Sequence, residues 1–271
     1  MKIGVCGCMI APDRDPVGID VVEECARLGF DYIELSLRDV AALDTAGFSA
    51  VARRLEKSGL RSEACNNFYP PEQRITGPEV NFAALRDYTA HALRRAKDLG
   101  AEFVVFGSSG ARNIPDGFPR EEAWRQIVEA SRMIAEEALR AGLTAAIEYH
   151  NKHEANVLLS MTEAMRLLRD TDMPGMRVLA DYYHYAVQGE CPADLAQASG
   201  CIVHAHFAEL KDRAFPLEPK EEYRAFIQAL ADGGYTGRLS VEAFTKAFSP
   251  DAEKALAVLR ALTRDCVKRV L

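Results

Sequence analysis

The 271-residue chain predicts an α/β fold, a single-domain (β/α)8 (TIM) barrel spanning residues 1–271. Three observations predict it. Short runs rich in β-branched and aromatic residues alternate eight times with longer amphipathic stretches, the pattern of a parallel sheet with crossover helices. Eight such units close into a barrel, and about 250 residues is its usual size. No G-x-G-x-x-G follows the first run, as a dinucleotide-binding open sheet would require. No linker or low-complexity tract divides the chain.

The strand runs, in order, are 2–8 (KIGVCGC), 31–36 (DYIELS), 61–67 (RSEACNN), 102–108 (EFVVFGS), 144–150 (TAAIEYH), 177–183 (RVLADYY), 201–207 (CIVHAHF) and 238–244 (RLSVEAF). Between them apolar residues recur at i, i+3, i+4, most clearly in IDVVEECARLG, FAALRDYTAHALRRAKDLG, REEAWRQIVEASRMIAEEALRAGL and EEYRAFIQALADGG. Gly29, Gly59, Gly100, Gly142 and Gly233 each stand where a helix should end, a few residues before the next strand.

Composition narrows the class. At 48% hydrophobic and 27% charged the chain reads as an ordinary globular protein, which excludes a disordered or collagen-like one. A net charge of −7 argues against non-specific nucleic-acid binding. No apolar run reaches the ~18–20 residues of a membrane span. The N-terminus lacks a signal-peptide cleavage pattern, so a cytoplasmic location is expected. Seven scattered cysteines fit reduced thiols, with Cys6 and Cys8 read as small buried side chains.

In such barrels the chemistry sits at the C-terminal ends of the strands. Strand five ends in Glu148, strand six carries Asp181, strand seven His204 and His206, and strand eight Glu242. One carboxylate or imidazole on a strand is ordinary. Three carboxylates and an imidazole converging on one barrel mouth are unstable without a compensating cation. Such a hard oxygen-rich set suits one divalent ion: Mn²⁺ foremost, then Mg²⁺ or Co²⁺, with Zn²⁺ less favoured without thiolates. His206 lies nearer the rim than His204 and is expected to be the ligand, with His204 a packed neighbour. His150 and His153 are expected in a solvated loop. Gly107, Ser108, Ser109 and Arg112 offer either a phosphate- or hydroxyl-binding nest or a flexible turn. Glu34 and Asn67 stand where substrate hydroxyl contacts are expected, and structural roles would equally suit them. Trp124 is expected in the core.

These residues resemble the xylose isomerase-like barrel superfamily of sugar and sugar-phosphate isomerases and epimerases, especially its ketose 3-epimerase and hydroxypyruvate isomerase branch. The motifs that carry the resemblance are IEYHNKHE, DYYH, HAH and GGYTGRLSVE, in that order and on successive strands. The resemblance implies that Glu148, Asp181, His206 and Glu242 ligate the metal, and that Glu148 and Glu242 act as the acid/base pair. It implies substrate contacts from His184 and from Glu154, six residues after Glu148. A substrate arginine matches Arg213, one residue further from His206 than relatives place it, which leaves Lys211 as a competitor. Homo-oligomers, dimers or tetramers, are also implied. The apurinic endonucleases of this fold carry extra histidines after strands three and four, which CNNFYP and FGSSGAR lack.

The expected reaction is proton transfer beside a carbonyl of a sugar or sugar phosphate, through a cis-enediolate stabilised by the metal. Return of the proton to the same carbon gives epimerisation; return to its neighbour gives isomerisation. The alternatives are a dehydratase of the inosose or dehydroshikimate type and a non-catalytic barrel subunit.

Overall fold

The computed structural model describes residues 1–267; the last four residues of the expected 1–271 domain lie outside the described residues. The eight strands are β1 Lys2–Cys6, β2 Tyr32–Ser36, β3 Ser62–Asn66, β4 Phe103–Phe106, β5 Thr144–Ile147, β6 Met176–Asp181, β7 Ile202–Phe207 and β8 Arg238–Val241. All pairings are parallel, each strand pairs with its sequence neighbour, and β8 pairs back onto β1 to close the barrel. The four amphipathic stretches named above are helices Val22–Leu28, Phe82–Asp98, Arg120–Ala141 and Glu221–Asp232. Their apolar faces pack on the outer surface of the strands, so that for example Ile127 and Ile134 of one helix are buried in the same continuous cluster as Ile147 and Val104. No described helix is long and apolar enough to cross a membrane.

Glycine ends helices as the sequence predicts at Gly29, Gly59 and Gly142, all in the left-handed region (φ +91°, +77°, +66°). Gly100 also has a positive φ. Gly233 does not: it sits at φ −76°, and Gly234 makes the left-handed turn at φ +81°. The helix therefore unwinds one residue later than the first glycine of the pair suggests.

Two bulges shape the sheet. On β3, Glu63 is inserted between the residues that oppose Ile33 and Glu34. On β7, Val203 is inserted between the partners of Val178 and Leu179. The β7 bulge turns Val203 toward a small apolar cluster of Val105, Ala146 and Leu179, and His204 and His206 follow it on the interior face.

Several expected strands stop early at their C-terminal ends. The run 144–150 leaves the sheet after Ile147, although Glu148 N still donates to Phe106 O (3.2 Å) before His150 N turns to Leu158 O (3.0 Å). Glu242 likewise follows the last residue of β8 and donates its N–H to Phe207 O (3.0 Å). Glu148 and Glu242 thus stand just past the strands, where the backbone flares to form the mouth.

Candidate active site and metal centre

Four strand ends deliver four buried donor groups. Asp181 closes β6 and His206 lies within β7, while Glu148 and Glu242 follow β5 and β8. One donor atom from each of the four lies within 4.8 Å of all the others. His206 Nδ1 stands 3.1 Å from Glu148 Oε1 and 3.5 Å from Glu242 Oε2. The sequence expectation of a converging set is met in position; the ligand roles themselves belong to the proposal below.

Each member is fixed from behind. Asn66, at the end of β3, donates from Nδ2 to Glu242 Oε1 (2.8 Å). Arg213 Nη2 pairs with Glu242 Oε2 and lies 3.7 Å from Asp181 Oδ2, while Nη1 reaches Glu154 Oε2 at 3.4 Å. Its guanidinium also covers the Tyr183 ring, 4.7 Å from the centroid. Gly107 makes room for Glu148: a Cβ there would stand 2.1 Å from Glu148 Oε2. Neither Asn66 nor Gly107 announces this in sequence, because each acts through a neighbour brought up by barrel closure.

Electrostatics follow from burial. Without a cation, burial raises the Glu148 carboxyl and pushes Asp181 up to about 7. Burial opposes ionisation of Glu242 too, but His206 and Arg213 outweigh it and hold its carboxyl well below the usual range. Burial works against a charged His206, yet Glu34 and Glu242 raise it well above an ordinary imidazole. In the protonation state that metal ligation requires, with the four buried carboxylates (Glu34, Glu148, Asp181, Glu242) ionised and His206 neutral, the two buried guanidiniums Arg112 and Arg213 leave two negative charges over. A divalent cation supplies that balance. Asp181 Oδ2 is moreover buried without a hydrogen-bond partner, and its remaining acceptor capacity suits a cation. The residues fit a divalent ion.

A cavity of about 170 Å³ opens above this group, lined by Asn66, Asn67, Ser108, Glu148, Glu154, Arg213 and Glu242 among others. Asn67 and Ser108 therefore reach the mouth as expected, Ser108 Oγ also accepting from Tyr69 N (2.8 Å). Arg213 occupies the place left open between two cations. Lys211 is exposed and absent from the cavity wall, because the turn Lys211–Arg213, with positive φ at Asp212 and Arg213, directs the two side chains apart. His184 is fully buried behind Asp181, with Nε2 3.4 Å from Asp181 Oδ2 and Nδ1 accepting from Asn151 Nδ2 (3.0 Å). Burial drops its pKa to about 3.

Four further expectations are corrected. His150 is not in a solvated loop: it is buried, lines the cavity, and packs on His184 with centroids 4.7 Å apart, whereas His153 is exposed. Arg112 builds no anion nest; it is wholly buried and donates to Phe106 O, Glu148 O and His150 Nδ1, each at 3.0 Å. Glu34 is too deep to meet substrate. It lies beneath His206 and pairs with His204, which is hydrogen-bonded rather than merely packed. Trp124 packs against the core but is only partly buried, its Nε1 donating to Asp170 (2.8 Å) between two outer helices.

The family model for the xylose isomerase-like TIM barrel matches residues 22–263, and the chain belongs to that family. Among curated relatives, it is 27% identical over 241 residues to an L-ribulose 3-epimerase of Mesorhizobium japonicum, covering 88% of this chain and 79% of the relative. It is 24% identical over 232 residues to a D-psicose 3-epimerase of Agrobacterium fabrum, covering 83% and 78%. A solved structure of an L-ribulose 3-epimerase shares the fold over 99% of this chain and 97% of its own, with a TM-score of 0.83 and 21% identity.

Proposed function

We propose that the protein is a divalent-metal-dependent sugar epimerase or isomerase that moves a proton at a carbon beside a carbonyl, with ketoses the favoured substrates. The observation that carries this reading is the convergence of Glu148, Asp181, His206 and Glu242 beneath a polar cavity. The curated sugar epimerases support it. These four residues would hold the ion, Mn²⁺ foremost, and the ion would supply Lewis-acid polarisation of neighbouring carbonyl and hydroxyl oxygens.

The chain's own residues supply the rest. Glu148 and Glu242 come from β5 and β8 and serve as the proton-transfer pair on two sides of the bound sugar. Arg213 and Asn66 hold Glu242 in place. Arg213, Glu154, Asn67 and Ser108 bind hydroxyls at the rim, and His184 braces Asp181 from behind. The homo-oligomer belongs to the same reading. It is supported by Leu210, Leu217 and Phe244, large exposed apolar side chains in the loops after β7 and β8, and sedimentation velocity tests it.

The deciding experiment is incubation with Mn²⁺ in D₂O against ketoses, ketose phosphates and hydroxypyruvate, with metal removed before NMR and mass analysis. Deuterium at a carbon beside the carbonyl, with the product's skeleton intact, is the expected result. Loss of water instead means a dehydratase, and no exchange anywhere in the panel rejects the proposal.

A further inference from the structure

A layer of wholly buried polar groups crosses the barrel interior directly beneath the site. Glu34, from β2, accepts from three groups on other strands: His204 Nε2 (2.9 Å), His206 Nε2 (3.2 Å to Oε1 and 3.3 Å to Oε2) and Ser240 Oγ (2.6 Å). Tyr32 adds its hydroxyl to Ser240 Oγ (2.7 Å), and its ring lies where a Cβ on Gly4 would collide. None of Tyr32, Glu34, His204, His206 or Ser240 has any solvent exposure. Apolar side chains would fill this space at less risk, since a buried carboxylate is costly unless its partners are in place. The layer therefore calls for a reason other than stability.

The geometry supplies one. Glu34 can only accept, so the His206 nitrogen facing it, Nε2, carries a proton. A histidine that ligates a metal is neutral and has one N–H; with that proton on Nε2, the lone pair lies on Nδ1, the atom that faces Glu148 and Glu242. His204 and Ser240 both hold Oε2 of Glu34 and stop the carboxylate from rotating away. We infer that Glu34 is a positioning residue for metal binding: it fixes the ring orientation and tautomer of His206 so that Nδ1 presents its lone pair to a divalent cation. This rests on the metal reading above and extends it to a residue that touches neither cation nor substrate. Carboxylates that orient a ligating histidine typically change metal affinity 10–100-fold when removed.

The test is Glu34→Gln, titrated with Mn²⁺ by the loss of the free-ion EPR signal and with Co²⁺ by its visible absorption, beside a thermal melt in EDTA. The expected result is a folded variant with Mn²⁺ Kd raised 10–100-fold and altered Co²⁺ bands. A folded variant with wild-type Kd and Co²⁺ spectrum overturns the inference and leaves the layer a packing feature. Should Glu34→Gln fail to fold, Ser240→Ala carries the test, because it removes one of the three groups that hold Glu34 without removing a hydrogen bond of His206. A several-fold weaker Kd then supports the inference and an unchanged Kd rejects it. Wild-type protein that binds neither ion removes the metal reading itself, a result distinct from the variant's retaining full affinity.

Discussion

Arg112 Nη2 donates to His150 Nδ1 at 3.0 Å, and that contact brings a histidine from the loop after β5 into the wall of the cavity. Arg112 also holds the carbonyls of Phe106 and Glu148, so one buried guanidinium fastens the ends of β4 and β5 together. Burial lowers its pKa to about 10, which leaves it charged at neutral pH. Arg112→Leu removes the buried guanidinium from Phe106 O, Glu148 O and His150 Nδ1 at once and is expected to cost about 3–5 kcal/mol. His150→Leu leaves both carbonyl contacts and is expected to cost about 1–2 kcal/mol. Urea unfolding compares them, and equal costs would refute the fastening role.

Gly107→Ala places a methyl 2.1 Å from Glu148 Oε2. The carboxylate must move, so Mn²⁺ affinity is expected to fall at least about tenfold with the fold retained. Calorimetric titration reads this directly, and an unchanged Kd would mean Glu148 does not need its present position.

Arg213 and Lys211 separate cleanly. Lysine at 213 keeps a charge but loses the fork that joins Glu242 to Glu154. Arg213→Lys is expected to raise KM for a turned-over ketose about tenfold, while Lys211→Ala leaves the kinetics unchanged. A comparable loss in the lysine variant would reinstate it as a substrate contact.

Glu148→Gln and Glu242→Gln remove the proton-transfer groups while nearly preserving shape. Each is expected to cut deuterium uptake into substrate by about 10²–10⁴-fold at saturating metal. Full turnover in either variant would falsify the two-glutamate mechanism.

Far from the mouth, the bulged Glu63 pairs with Arg238 and Lys2 at the bottom of the barrel. Burial raises its carboxyl, but the two cations outweigh burial and hold it below the ordinary value of 4.5. Because the folded pKa is depressed, the stabilisation is complete above that value and lost as pH falls through the folded one. Glu63→Gln is therefore expected to lower Tm by several degrees at pH 7, about 1–3 kcal/mol. The gap from wild type narrows as pH drops below about 4.5. A gap that stays constant from pH 7 to pH 3 would show that the pair contributes no charge-dependent stability.

The sequence by itself determined the eight alternating units and the order of the strands. It also placed Glu148, Asp181, His206 and Glu242 at one rim. Periodicity and strand-end position are local properties, and barrel closure turns them into proximity. What only the tertiary structure decided is which groups meet across the barrel. Glu34 and His206 are 172 residues apart and Asn66 and Glu242 are 176, and each pair meets only because β1 and β8 close the ring. Arg112 ends the short helix Ser109–Arg112 and His150 lies in the loop after β5, segments whose polar character reads as solvent exposure until a buried guanidinium satisfies three acceptors at once. Arg213, not Lys211, enters the cavity through left-handed backbone at 212 and 213, a conformation that no side-chain pattern encodes. Local pattern sets the scaffold and its polar strand ends, whereas burial and long-range hydrogen bonding set their partners.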